Sequence, residues 1–270
     1  STVWLLAALT AGPTVLRAQE EMDAAGKKLL AASGYYDRGL YKPAAQEFAE
    51  FLAQYPKHAQ ATNARYGLAV CRYRLADHGQ AAKLLGDLLK DKSFTKRDEA
   101  LAVLAHCHIQ LKQYEPALAA LDEMASRHSD SPHFPAAANN RIQVLYFMGR
   151  KDRCLAAAQQ FLAKFPDSGL APAARYYEAL ALAGLDRHEE AAASLQKLLG
   201  EKANLPFEGE ALLLWGQCLE KQNKLAEACE LYKRLAKISP SRGTYSLGLA
   251  LYRMGKFADS AAALRPLASK

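Results

Sequence analysis

The residues best suited to chemistry in this chain are its thiols, imidazoles and carboxylates, and their spacing works against all three. Five cysteines (Cys71, Cys107, Cys154, Cys218, Cys229) make an odd number with no CxxC pair, which suits neither a zinc site nor a small disulfide scaffold. His106-Cys107-His108 sets three metal-ligating types side by side. Neighbours on a helix, however, point about 100° apart and cannot converge on one ion without partners from elsewhere. Glu189-Glu190 falls on a repeating polar face with no convergent partner. No G-x-S-x-G, P-loop, H-E-x-x-H or dinucleotide fingerprint occurs. These residues point away from an enzyme and imply no metal and no cofactor. The cysteines read as small packed hydrophobes.

Charge and composition narrow the class further. The chain has 270 residues, half of them hydrophobic and dominated by Ala and Leu, both strong helix formers, so the expected class is all-α. The 35 basic and 28 acidic residues leave a formal charge of +7. The densest basic stretch, Lys90 to Arg97, is broken by Asp91 and followed by Asp98. That pattern fits a solvated face, not the basic stripe of a nucleic-acid binder. Near the start, Val3 to Ala11 (VWLLAALTA) is followed by Gly12-Pro13 and then Gln19-Glu20-Glu21. Residues 1–18 are laid out as a secretory signal peptide cut after Ala18, and the alternative is a capping or partial-repeat helix. Past Ala18 no run of 18 apolar residues occurs, so the mature chain carries no integral membrane segment.

The elements that carry these residues repeat. A polar or aromatic residue is followed by a small residue three on, a large apolar four further and another apolar three further, often with a later Pro. The frame reads Tyr41-Ala44-Phe48-Phe51-Pro56 and recurs from His78, Tyr114, Lys151, His188, Leu225 and Phe257. Successive offsets are 37, 36, 37, 37, 37 and 32. Upstream of each lies a second amphipathic segment with its own small slot, filled by Ala32, Ala69, Ala105, Ala179, Gly216 and Gly248. A small residue there lets two helices of a hairpin approach closely. The fourth copy departs, with Ile142 and Cys154 in the two slots.

The small slots, the A-x3-F spacing and the terminal Pro resemble the tetratricopeptide repeat over residues 25–270, although that family's period is about 34 residues. Loops at 54–69, 127–140 and 164–179 lengthen it here. The resemblance implies a right-handed α-α superhelix of about seven helix-turn-helix repeats, near 25–58, 62–95, 98–131, 135–168, 172–205, 209–240 and 241–270. The Y/F-P-x-S-x-x-A-P-x-A loops resemble bacterial periplasmic repeat proteins, such as the Tol-Pal-associated cell division coordinator and the outer-membrane assembly lipoprotein. They imply a non-catalytic, exported scaffold or adaptor for envelope assembly or division, with a protein or peptide partner. The alternatives are a cytosolic interaction module, or part of a larger protein whose activity lies elsewhere. The lack of a starting Met, and of a polar capping helix before Lys270, is the pattern expected of a fragment.

In this family, positions 2, 5, 9, 12 and 13 of each first helix line the concave groove. Carried onto this sequence, the peptide-binding candidates are Tyr36, Tyr66, Tyr73, Asn139, Tyr146, Tyr176, Tyr245 and Tyr252, which include seven of the 13 tyrosines. Tyrosine also recurs at these positions in the repeat consensus for packing, so both roles are open. The carboxylate clamp of chaperone-adaptor repeats is missing. Its slots hold Leu29, Ser33, Gly67, Glu99 and Val103 in the first three repeats, and Asn139, Gln143, Tyr177, Glu210 and Leu214 in the next three.

Overall fold

The computed structural model describes residues 13–201 and 205–268. All regular structure among them is helical. The helices are α1 (Pro13–Asp37), α2 (Tyr41–Gln54), α3 (Ala61–Arg74), α4 (His78–Lys90), α5 (Arg97–Gln110), α6 (Tyr114–Arg127) and α7 (Phe134–Phe147). They continue with α8 (Lys151–Lys164), α9 (Ala171–Gly184), α10 (His188–Glu201), α11 (Glu208–Lys221), α12 (Leu225–Ile238), α13 (Pro240–Arg253) and α14 (Phe257–Ala268). The seven positions of the sequence ladder are the first residues of the even-numbered helices. Residues 1–12 of the expected leader lie outside the described residues, and residues 13–18 open α1.

The chain divides into two compact units, one ending at His133 and the other beginning at Phe134. Within each, consecutive helices pack in pairs, and first helices also touch the first helix of the next pair: α1 with α3, α3 with α5, α7 with α9, and α9 with α11. A lone pair cannot cover its apolar faces, so stacking neighbours supplies the core. Phe51, Leu85, Leu121, Ile142, Leu195 and Leu235 are fully buried in this way. Each such side chain contributes about 1.5–3 kcal/mol on leaving water.

One turn closes all seven pairs. Its central residue is Gly39, Ala76, Lys112, Gly149, Asp186, Asn223 or Gly255, each in the left-handed region with φ between 57° and 75°. The next residue's N–H donates back to the carbonyl five residues earlier, as Asp77 does to Arg72 and Lys224 to Leu219. That 6→1 bond is the Schellman stop, which satisfies carbonyls the ending helix would leave bare.

Inside each pair the two small slots meet. Ala32, Ala44, Ala69, Ala81, Ala105, Ala117, Ala179, Ala191 and Ala228 are all inaccessible to solvent. In the last pair Ser260 Oγ donates to the Gly248 carbonyl at 2.8 Å, and in the fourth Cys154 Sγ donates to the Ile142 carbonyl at 3.5 Å. The final offset of 32 has a simple cause. Six-residue connections (55–60, 91–96, 128–133, 165–170) join earlier pairs, but Ser239 alone joins α12 to α13.

Candidate binding surfaces

In the first unit, helices α1, α3 and α5 face a cleft of about 520 Å³. Its floor is Leu29, Phe48 and Val70. Gly67 makes this floor possible, because a Cβ there would come within 2.6 Å of the Phe48 ring. Tyr66 forms one wall. It is only 7% exposed, its ring lies 5.7 Å from Phe94, and the Lys96 ammonium sits 5.2 Å from its centroid. The Tyr66 hydroxyl is buried without a hydrogen-bond partner, an arrangement that costs about 1–3 kcal/mol. Burial pushes its proton-release well above the usual tyrosine range. The nearby Glu99 carboxylate adds to that rise, although no hydrogen bond of normal geometry joins the two. Leu29, Ser33, Gly67 and Glu99, four of the clamp slots, all line this cleft, as do Asp37 and Lys96.

The other candidates of this unit are half-buried. Tyr36 meets the Tyr41 ring edge-on at 5.7 Å, and Tyr73 lies 5.4 Å from His106 and 6.0 Å from His78. In the second unit Asn139 is half-buried, and its side-chain carbonyl has no partner. Tyr146 packs 5.4 Å from Tyr177, whose hydroxyl accepts a 2.9 Å hydrogen bond from Gln143 Nε2. Tyr176 stacks on Phe207 at 5.0 Å. Burial first, then the Glu210 charge, pushes the Tyr176 phenol up to about 12. Tyr66, Tyr73, Tyr146 and Tyr176 therefore each rest against a residue of the following pair or its approach loop. Tyr245 and Tyr252, at the same two positions of α13, are both 59% exposed. Tyr252 meets Phe257, itself 61% exposed, at 5.2 Å.

Residues 139–206 and 210–241 match sequence profiles of the tetratricopeptide repeat. Over these segments the chain is similar to that repeat. A tetratricopeptide repeat protein from Parabacteroides merdae superposes with a TM-score of 0.62 at 13% identity, covering 92% of this chain and 93% of that one. MamA from Desulfovibrio magneticus RS-1 superposes at 0.57 with 16% identity, over 65% of this chain and 95% of that one. At these identities the likeness is one of fold. No curated protein matches the chain.

The remaining reactive groups belong to the repeat packing. All five cysteines are buried and unpaired with one another. Burial pushes Cys71, Cys107, Cys154 and Cys218 up to about 11. Since the thiolate is the attacking form, a disulfide reagent at pH 8 is expected to label none of these four quickly in the folded protein and all five thiols in urea. Fast labelling of any of the four in the native state would contradict this packing. His106 and His108 diverge. His106 lies edge-on to Tyr73, and burial then His78 hold its pKa down. His108 Nδ1 lies 2.7 Å from Gln113. Among the described residues no group of three His, Cys, Asp or Glu is placed to hold a metal, and no helix is long and apolar enough to cross a membrane. Glu190 forms a two-bond pair with Arg187 at 2.7 Å. In the Lys90–Arg97 stretch, Lys90 pairs with Asp87 and Arg97 with Glu123. Arg97 also caps the carbonyls of Leu89 and Asp91.

Reading the chain by repeat position missed Phe94, Phe207 and Tyr177, the aromatics that cover the candidate tyrosines. Phe94 and Phe207 sit in the connections before α5 and α11, outside the helical frame in which the pattern was sought. Tyr177 falls at a clamp slot, and its neighbour Tyr176 is the one signal for it in the sequence.

Proposed function

We propose that this chain is a non-catalytic scaffold that binds a peptide or helix of a protein partner on the faces made by its first helices. We further propose that it does so after export to the bacterial periplasm, in envelope assembly or division. The observation that carries the binding reading is the cleft of about 520 Å³ that α1, α3 and α5 face together, with Leu29, Tyr36, Asn63 and Val70 in its lining. Large rings of low rotamer entropy with a polar tip are effective anchors. The export reading rests on the sequence layout of residues 1–18.

Replacing Leu29 and Tyr36 together by Ala is expected to weaken capture of an envelope protein by at least about 30-fold, the loss of about 2 kcal/mol typical of a hot spot. Helical circular dichroism is expected to stay unchanged, because both side chains are only half-buried. Unaltered capture by the double variant would refute this surface. Sequencing the mature N-terminus tests export, which requires that residues 1–18 be gone.

A further inference from the structure

Two imidazoles meet where the second helix pair joins the third. His78 opens α4 and His106 lies within α5, and their ring centroids are 6.3 Å apart. Tyr73 of α3 lies against both, 5.4 Å from His106 and 6.0 Å from His78. The Nδ1 atom of each histidine is buried and makes no hydrogen bond. A neutral ring can leave that nitrogen as a bare lone pair, but a protonated ring must donate from both nitrogens. The buried Nδ1–H would then be a charged donor without an acceptor, which is costly away from water.

The surroundings supply no free counter-charge. Helix α5 packs on α3, α4 and α6. From α3 comes Tyr73, with the Arg74 guanidinium 5.9 Å from its ring, and from α4 comes His78. Asp77, the carboxylate next to His78, is taken by the Gln80 N–H and by Arg72 at 3.5 Å. On α5 itself the Gln110 amide lies 3.4 Å from His106 Nε2, while His108 turns to Gln113. Burial and then the His78 charge hold down the proton affinity of His106, and no charge of α6 is among its influences. His188 opens α10 as His78 opens α4. Asp186, however, lies 3.5 Å from its Nε2, and no second histidine lines its cleft. We propose that the His78–His106 contact is an acid-sensitive joint, which holds the second and third pairs together while the rings are neutral and loosens in mild acid. Helices α3 and α5 also face the cleft of this unit, so the joint bears on that surface. The device stands independently of the scaffold reading.

In an unfolded chain an imidazole takes its proton near about 6.5, and in the fold His106 takes it at lower pH. Below about 6.5 the opened chain therefore binds more protons, so this stability is whole above that pH and lost as pH falls. The carboxylates Asp87, Asp91 and Asp98 are lowered from 3.8 and lose their contribution only in stronger acid. The test is hydrogen exchange of the α5 amides in the full chain at about pH 7.5 and about pH 5.5, each rate taken relative to its intrinsic value. Protection is expected to fall at least about fivefold in acid, the low end of what an unmet buried donor costs. His106→Phe keeps a ring against Tyr73, His106→Gln keeps a polar group, and neither takes a proton. Each of these that keeps the parent's circular dichroism is expected to lose most of the fall, whereas His188→Gln is expected to retain it. Level protection at the two pH values in the parent overturns the proposal. So does a fall of the parent's size in a folded His106 variant, or its disappearance in His188→Gln.

Discussion

Gly243→Ala is expected to cost about 3 kcal/mol or more, the upper end of what over-packing does in a close-fitted interior. Gly243 lies in the first turn of α13, pressed on the end of α12. A Cβ there would stand 2.2 Å from the Ala236 nitrogen, 2.4 Å from its Cα and 2.7 Å from the Leu235 carbonyl carbon. All three are backbone atoms of a helix, so no rotamer change relieves the contact. The crowding follows from the chain path, since Ser239 is the only residue between the two helices. Alanine's better helix propensity returns only about 1 kcal/mol, too little to reverse the sign. The loss is expected first in hydrogen exchange of α13 and α14, which would separate from α12 before the rest opens. Gly86→Ala is the control. It lies inside α4 with nothing within 4 Å of the added carbon, so the same substitution is expected to raise stability by up to about 1 kcal/mol. A Gly243→Ala protein as resistant to urea as its parent would show that α12 and α13 are not packed this closely.

Much of the fold was legible because packing rules act at fixed spacing. The ladder from Tyr41 to Phe257 marks helix starts since each position follows the left-handed residue of a three-residue turn by two. Gly39, Gly149 and Gly255 announce that turn. Ala76, Lys112, Asp186 and Asn223 adopt the same φ without being glycine, held there by the helices on either side, so no residue-type signal exists at Ala76 or Lys112. The short last offset was visible in the sequence, but its origin in the single-residue connection at Ser239 was not.

The binding surface was much less legible. A family's groove positions tell where a residue sits on its helix and not what the next pair lays over it. Tyr66 is only 7% exposed because Phe94 and Lys96 reach it from a connection with no repeat pattern. Glu99 illustrates the same limit. It stands where the carboxylate clamp needs a basic residue, and only the structure brings it beside Tyr66 in one cleft.

The second large effect is a coupling, and it explains the one repeat that broke the pattern. In the second to sixth pairs, a second-helix residue of compensating size stands sixteen residues after the first-helix slot. Ala69 pairs with Leu85, Ala105 with Leu121 and Ala179 with Leu195, all buried to 2% exposure or less. In the sixth pair Gly216 faces Tyr232, and in the fourth the same two positions hold Ile142 and Ala158, both inaccessible to solvent. The large residue has moved from the second helix to the first, and the sum of volumes is kept. A Cβ on Gly216 would lie 2.3 Å from the Tyr232 ring, a ring 1% exposed and held by the surrounding core. Gly216→Ala alone is therefore expected to cost about 1–3 kcal/mol, and Tyr232→Leu alone about 2 kcal/mol for the space it leaves. Together they rebuild the Ala–Leu pair found in three other repeats, so the double variant is expected to be no less stable than Tyr232→Leu. The interaction energy from the four proteins is then about 1–3 kcal/mol, within the range for side chains in contact. Strict additivity in urea would mean that volume is not traded across this seam, and Ile142 with Ala158 would lose its explanation.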